Sequence, residues 1–271
     1  MQIIDAHVHL TGPATAADVE QFLERSGVSA VVLLSRYDLE MRRAIGELAD
    51  LAAALPGKVL PLATIDPTAP YARDILEWAL RDAGMLGAKL LPTTWNPADE
   101  CVHPVYGLLE EMGAPALFHT GILWLPGANA NHCRPANLEV LWRHPRLRFA
   151  MAHIGWPWTD ECIAVAQKFN VMRPELDQAF IDLTPGTPPS YRQDAFAKCL
   201  ENVHATHMFY GSDSCIPAGN VPEGKWRKDH DLLTRLGVGQ EDQQRIFSGN
   251  VLRFLGRQEG SSGAEHGLSP G

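Results

Sequence analysis

The chain has 271 residues, 45% of them apolar, enough for one large core. Lys and Arg total 23 against 32 Asp and Glu, a net charge of −9, so on average the surface repels nucleic acid and anionic membranes. No apolar stretch reaches the roughly 18 residues of a membrane span.

The opening residues carry neither a basic segment nor an apolar leader, so no secretory signal is expected. The five cysteines (Cys101, Cys133, Cys162, Cys199 and Cys215) are odd in number and widely spaced, with no C-x-x-C pair. Neither a disulfide framework nor a cysteine zinc site is expected, and a reducing cytoplasm is the expected location.

In chain order, eight short apolar runs fall at 2–9, 30–34, 59–65, 87–91, 116–119, 147–153, 179–183 and 208–211. Their Val, Ile and Leu content suits parallel strands covered on both faces. Helical periodicity marks the segments between them: 16–26, 39–55, 71–83, 105–112, 137–143, 160–169 and 191–202. Turns such as Ser26-Gly27 and Pro56-Gly57 punctuate the alternation. Two further helices are expected at 229–236 and 240–255. Eight strand–helix units predict a (β/α)8 TIM barrel over an open doubly wound sheet, and no G-x-G-x-x-G follows the first strand. Residues 1–255 are expected to form a single catalytic barrel, and 256–271, rich in Gly, Ser and charge, a disordered tail. The longer connections after strands, 92–103, 121–136, 185–190 and 214–229, would gather at the C-terminal face, where barrel active sites are built.

Chemistry concentrates at strand ends. In Asp5-Ala6-His7-Val8-His9 the two histidines stand two apart, so both imidazoles project from one face of the first strand. Two convergent neutral imidazoles are half of a zinc-like site, although a lone H-x-H in a chain with 11 histidines is weak evidence. His119 ends the fifth run, His153 ends the sixth, and Asp213 follows the eighth. Singly, each reads as a hydrogen-bonded strand end. Together they point to one mouth of a barrel.

These motifs resemble the amidohydrolase superfamily, and within it amidohydrolase family 2, the mononuclear metal-dependent hydrolases and decarboxylases. The resemblance rests on Asp5–His9, Gly87-Ala88-Lys89-Leu90-Leu91-Pro92, Phe118-His119, Ala152-His153-Ile154-Gly155, Gly211-Ser212-Asp213 and Ile246-Phe247-Ser248-Gly249-Asn250-Val251. It implies that His7, His9, His119 and Asp213 hold one metal, with His153 as general acid or base and Asp213 sharing in catalysis. Zinc suits the donor set, with manganese and iron as alternatives. In binuclear relatives a lysine at the position of Lys89 is carbamylated and bridges two ions; the local context here looks more like the one-metal branch.

Trp95, Trp124, Trp156 and Trp158 fall in loops after strands and suggest an aromatic pocket, with Trp95, Trp124 and Trp156 expected against substrate, though core packing is the commoner use of tryptophan. Arg36 and Tyr37 follow the second strand within reach of a substrate anion, or simply top a solvated helix entry. Arg134, Lys225, Arg227 and Lys228 add charge near the mouth. Asp182 reads as a local packing or hydrogen-bonding residue. The expected partner is a small-molecule substrate, with no nucleic acid and no membrane; a homodimer suits such barrels, although no residue pattern marks an interface. The leading expectation is hydrolysis of a C–O or C–N bond in a lactone, ester or amide. The alternatives are non-oxidative decarboxylation of an aromatic or unsaturated acid, and a ligand-binding barrel without activity.

Overall fold

The computed structural model describes residues 1–217 and 223–257. The strands are β1 (Ile4–Leu10), β2 (Ala30–Leu34), β3 (Val59–Ile65), β4 (Ala88–Leu90), β5 (Ala116–Phe118), β6 (Phe149–Met151), β7 (Ala179–Asp182), β8 (Met208–Phe209) and β9 (Ser214–Ile216). All pair in parallel, in the order β8-β7-β6-β5-β4-β3-β2-β1-β9. The sheet closes because the Ala6 amide donates to the Tyr210 carbonyl at 3.0 Å, just past β8, while β9 continues along β1. The fold is a TIM barrel. Among the described residues no helix is long and apolar enough to cross a membrane, and all five cysteines are free.

The eighth stave differs from the single run expected at 208–211. It is two short strands joined by a kink. The Tyr210 amide leaves the sheet for the Ile246 carbonyl at 3.0 Å. The Ser212 amide donates to the Asp5 carboxylate at 2.8 Å, and Asp213 takes a left-handed conformation at φ 54°. A left-handed residue cannot continue an extended strand.

Strand periodicity sorts the core into two layers. Ile4, Ala6, Val32, Leu34, Leu60, Leu62, Leu117, Phe180 and Phe209 form an inner cluster. Their neighbours Val31, Leu33, Phe118 and Ile181 pack outward with the helices. The helix α9 (Asn250–Phe254) plugs the end where the strands begin, with Phe254 5.6 Å from the Phe180 ring and 5.3 Å from the Phe209 ring. The other end is left for polar groups.

The closing helix expected over 240–255 is broken. A wide turn over Arg245–Gly249 separates α8 (Gln240–Gln244) from α9. That turn leaves the Ile246 carbonyl to Tyr210. Buried Asn250 then donates to the Ala205 carbonyl at 2.6 Å and the Met208 carbonyl at 2.7 Å, tying the helix to the start of β8. The segment Pro135–Arg143, expected as an α-helix from 137, is a 3-10 helix entered through Pro135. Of the tail expected at 256–271, residues 258–271 lie outside the described residues.

Asn250→Ala strips donors from two buried carbonyls. We expect a loss of about 1–3 kcal/mol in unfolding free energy, read from the denaturant midpoint at unchanged slope.

Candidate active site

Strict alternation along β1 would put residues 4, 6, 8 and 10 on one face. Ile4 and Ala6 do face the barrel interior, yet Val8 and Leu10 pack outward. The pairing of β1 with β2 slips between Asp5 and Val8, and this bulge reverses the parity. Bulges of this kind re-aim side chains beside functional sites. Here the slip turns His7 and His9 inward together, with their Nε2 atoms 3.1 Å apart. Buried Asp5 holds the bulge, accepting from the amides of Ser212 at 2.8 Å and His7 at 3.3 Å. Burial raises its carboxyl to a pKa of about 7 against those hydrogen bonds.

His7 is anchored from behind. Its Nδ1 lies 2.6 Å from Asp182 Oδ2 and 3.1 Å from Thr184 Oγ1. Thr184 donates its amide, at 2.9 Å, and its hydroxyl to Asp182 Oδ1. Burial pushes Asp182 up to about 7, opposed by the Thr184 hydrogen bonds and the nearby Lys89. Burial, Lys89 and His9 hold His7 well below the ordinary histidine range, so the ring is neutral. With Nδ1 donating to Asp182, Nε2 carries the lone pair. Asp182 is thus far more than the local packing residue expected. Its inward direction was readable: Phe180, two residues earlier, faces the interior.

Asp213 Oδ1 stands 3.1 Å from His9 Nε2 and 3.8 Å from His7 Nε2. Burial works against its charge, but the His9 hydrogen bond and nearby His7 and His153 hold the carboxyl well below the usual range. Its side chain is 37% exposed, open to the cavity. His7, His9 and Asp213 place one donor atom each within 4.8 Å of one another, as metal ligands would.

His119, grouped with these ligands by resemblance, pairs with His153. His119 Nδ1 and His153 Nε2 are 3.2 Å apart, and His119 Nε2 is 3.2 Å from the Ile122 carbonyl. A carbonyl only accepts, so the proton of His119 sits on Nε2. Burial, His153 and Lys89 keep His119 neutral, which makes its Nδ1 an acceptor. His153 must therefore donate from Nε2, leaving its buried Nδ1 without a protein partner. Burial, followed by the neighbouring His7, pushes His153 down to about 3. Lys89 is 1% exposed, with Nζ 3.3 Å from His7 Nε2; burial brings it down to about 8, while Asp182 and Asp213 pull upward.

A cavity of about 230 Å³ opens over this cluster. Its polar side is His9, His119, His153 and Asp213; Leu91 and the run Ile122-Leu123-Trp124-Leu125 line it as well. Of the expected substrate-contacting residues, Tyr37 and Trp124 line it, Trp124 80% exposed at the rim, and Cys215 borders it too. Trp95 is buried against an adjoining chamber, and Trp156 faces a separate cleft beside Tyr191. Arg36 also faces the adjoining chamber, because Asp38 takes its guanidinium at 2.9 and 3.0 Å and Glu47 at 3.5 Å. Arg134 pairs with Glu161 and Lys225 donates to the Ser212 carbonyl, so neither serves the mouth. Thr11 lines the cavity without having been singled out by any sequence signal, whereas Pro185 belongs to the 185–190 connection expected at this face.

Gly211 approaches the anchor so closely that a Cβ would lie 2.5 Å from Thr184 Oγ1, 2.7 Å from Asp182 Oδ1 and 2.8 Å from His7 Cβ. Gly211→Ala should therefore cost about 1–3 kcal/mol by overpacking, read from the denaturation midpoint, and displace His7. An unchanged midpoint would mean that this packing is looser than the distances state.

Comparisons with known proteins agree on the architecture. Similar solved structures include a 2,6-dihydroxybenzoate decarboxylase from Rhizobium, 16% identical, with a TM-score of 0.67 over 94% of this chain and 99% of that one. A candidate 2-pyrone-4,6-dicarboxylic acid hydrolase from Pseudomonas putida is 15% identical, with a TM-score of 0.68 over 94% and 98%. An amidohydrolase from Burkholderia multivorans with bound zinc is 14% identical, with a TM-score of 0.65 over 95% and 100%. Such identities show the fold alone. No curated protein matches the sequence. The family model described as amidohydrolase matches residues 4–257, from β1 to just past α9, and the chain therefore belongs to the amidohydrolase family.

Proposed function

We propose that this protein is a metal-dependent hydrolase of a C–O or C–N bond in a small molecule, with His7, His9 and Asp213 as the metal seat. The observation that carries the reading is the convergence of those three side chains at the cavity floor beside the His119–His153 pair. The donor set fits a metal. Two imidazoles and one carboxylate face one another, and the Asp182 anchor frees Nε2 of the neutral His7 ring to ligate. Three ligands also leave an open position, as catalytic sites require. Zinc suits imidazole and carboxylate donors, and the Burkholderia multivorans relative holds zinc; manganese and iron are the alternatives.

A bound divalent ion would polarise a substrate carbonyl and lower the pKa of a water molecule to about 7. Asp213, held ionised, accepts the proton of the attacking water through its exposed side. The water oxygen bonds to the carbonyl carbon, and the C–O or C–N bond breaks. His153 takes that proton from Asp213 on its partner-free Nδ1 and hands it to the leaving atom, which returns the ring to its neutral form. Lys89, packed on His7, is proposed to orient that ring and not to bridge a second ion.

Decarboxylation is the second reading, favoured by the leucine-rich lining of the cavity. Such a surface destabilises a carboxylate relative to neutral CO2. Acid release from lactones and esters supports hydrolysis; CO2 release from hydroxybenzoates supports the alternative.

Chelation should abolish turnover and Zn²⁺ should restore it. His153→Asn should retain metal and lose turnover by about 10²–10⁴-fold; full activity would remove its assigned role. Asp182→Asn should weaken metal affinity by about 10–100-fold in competition with a chelator dye. Metal analysis should give one ion per chain; two ions with a carbamate carbon signal from Lys89 would overturn the one-metal reading.

A further inference from the structure

Resting on that metal seat, we propose that the site takes a substrate with one acyl or carboxylate anchor and an uncharged, ring-like body, and that it rejects a second carboxylate. The cavity is divided by chemistry. Its hydrogen-bonding groups gather around Asp213, whereas Leu91 and the run 122–125 offer hydrocarbon and an indole. A carboxylate pressed on that surface would lose hydration and meet no cation, only the Trp124 indole N–H and the Tyr37 hydroxyl at the rim, and a desolvated charge without a counter-charge is strongly disfavoured.

Nearby cations do not relieve this. Among the described residues no lysine or arginine lines the cavity. Residues 218–222 read Ala-Gly-Asn-Val-Pro and carry no charge. Arg36 faces the adjoining chamber, which shares Tyr37, Leu91 and Leu125 with the mouth, but both oxygens of Asp38 already hold its guanidinium. An incoming anion would have to displace that bidentate pair.

The rim adds a preference for a flat ring. Trp124 is 80% exposed and Tyr37 53%, and both border the cavity. A ring seated between them would remove aromatic surface from water and gain stacking. An acyclic polar substrate would gain neither.

The test uses the zinc-loaded full chain and two ligands of one ring, benzoate and isophthalate, with binding read by calorimetry. Benzoate should bind, and isophthalate should bind at least tenfold more weakly. Trp124→Ala should weaken benzoate by about 2–10-fold. Leu123→Arg, at a half-exposed position, should supply the missing cation and bring isophthalate level with benzoate or beyond. Isophthalate binding as tightly as benzoate to the unaltered protein would overturn the proposal, as would no benzoate binding at all. Benzoate binding that survives metal removal would instead refute the metal seat, while leaving the rejection of the second charge intact.

Discussion

Desolvated polar groups at the mouth of the barrel must satisfy one another, and the contact between His7 and Asp182 is where that constraint is met. Either group alone in that interior would be costly, because a buried polar atom without a partner forfeits its hydration. Their 2.6 Å contact, backed by Thr184, sets the ring orientation and leaves one lone pair facing His9 and Asp213. Everything nearby is arranged around keeping it. The β1 bulge turns His7 inward, Asp5 holds the bulge, and Gly211 is small because Asp182, Thr184 and His7 fill the space a side chain would need.

The barrel was largely legible because its signal is statistical and repeated. Eight apolar runs separated by amphipathic segments survive an error of a residue or two at each boundary. Individual joints were not legible. The split of the eighth stave depends on a left-handed Asp213 and on the Ile246 carbonyl, 36 residues beyond the Tyr210 amide it binds, and neither has a local signature. The same holds for the wide turn in the closing helix, which exists to serve Tyr210.

The site was legible where residue type and strand position agreed. His7, His9 and Asp213 converge as their placement at strand ends suggested. Arg36 and the tryptophans show why loop residues are harder. The fate of Arg36 is set by Asp38 and Glu47, which offer it closer carboxylates than any substrate would. Trp95, Trp124 and Trp156 all follow strands, yet small differences in loop path send them to three different surfaces. Asp182 was misjudged for the opposite reason. A carboxylate at the end of a buried strand looks like a local hydrogen-bonder until its partner, 175 residues away, is seen.

Two residues at the heart of the mouth, His153 at φ 60° and Asp213 at φ 54°, occupy the left-handed region that side chains seldom adopt. Such a conformation costs on the order of 1–3 kcal/mol and persists only where its surroundings over-determine it. Here the surroundings do. The Asp213 amide donates to the His7 carbonyl at 3.0 Å, and His153 is clasped between His119 and the backbone of Gly186. Relaxing either residue would swing its side chain away from the cavity floor and break the convergence. The strain is therefore part of how the groups meet, and it is borne by a barrel whose core is packed almost to the level of His7. A mouth built this way separates its duties: hydrocarbon below holds the shape, strained polar residues above hold the donors, and the leucine-lined side of the cavity is left to choose what may approach them.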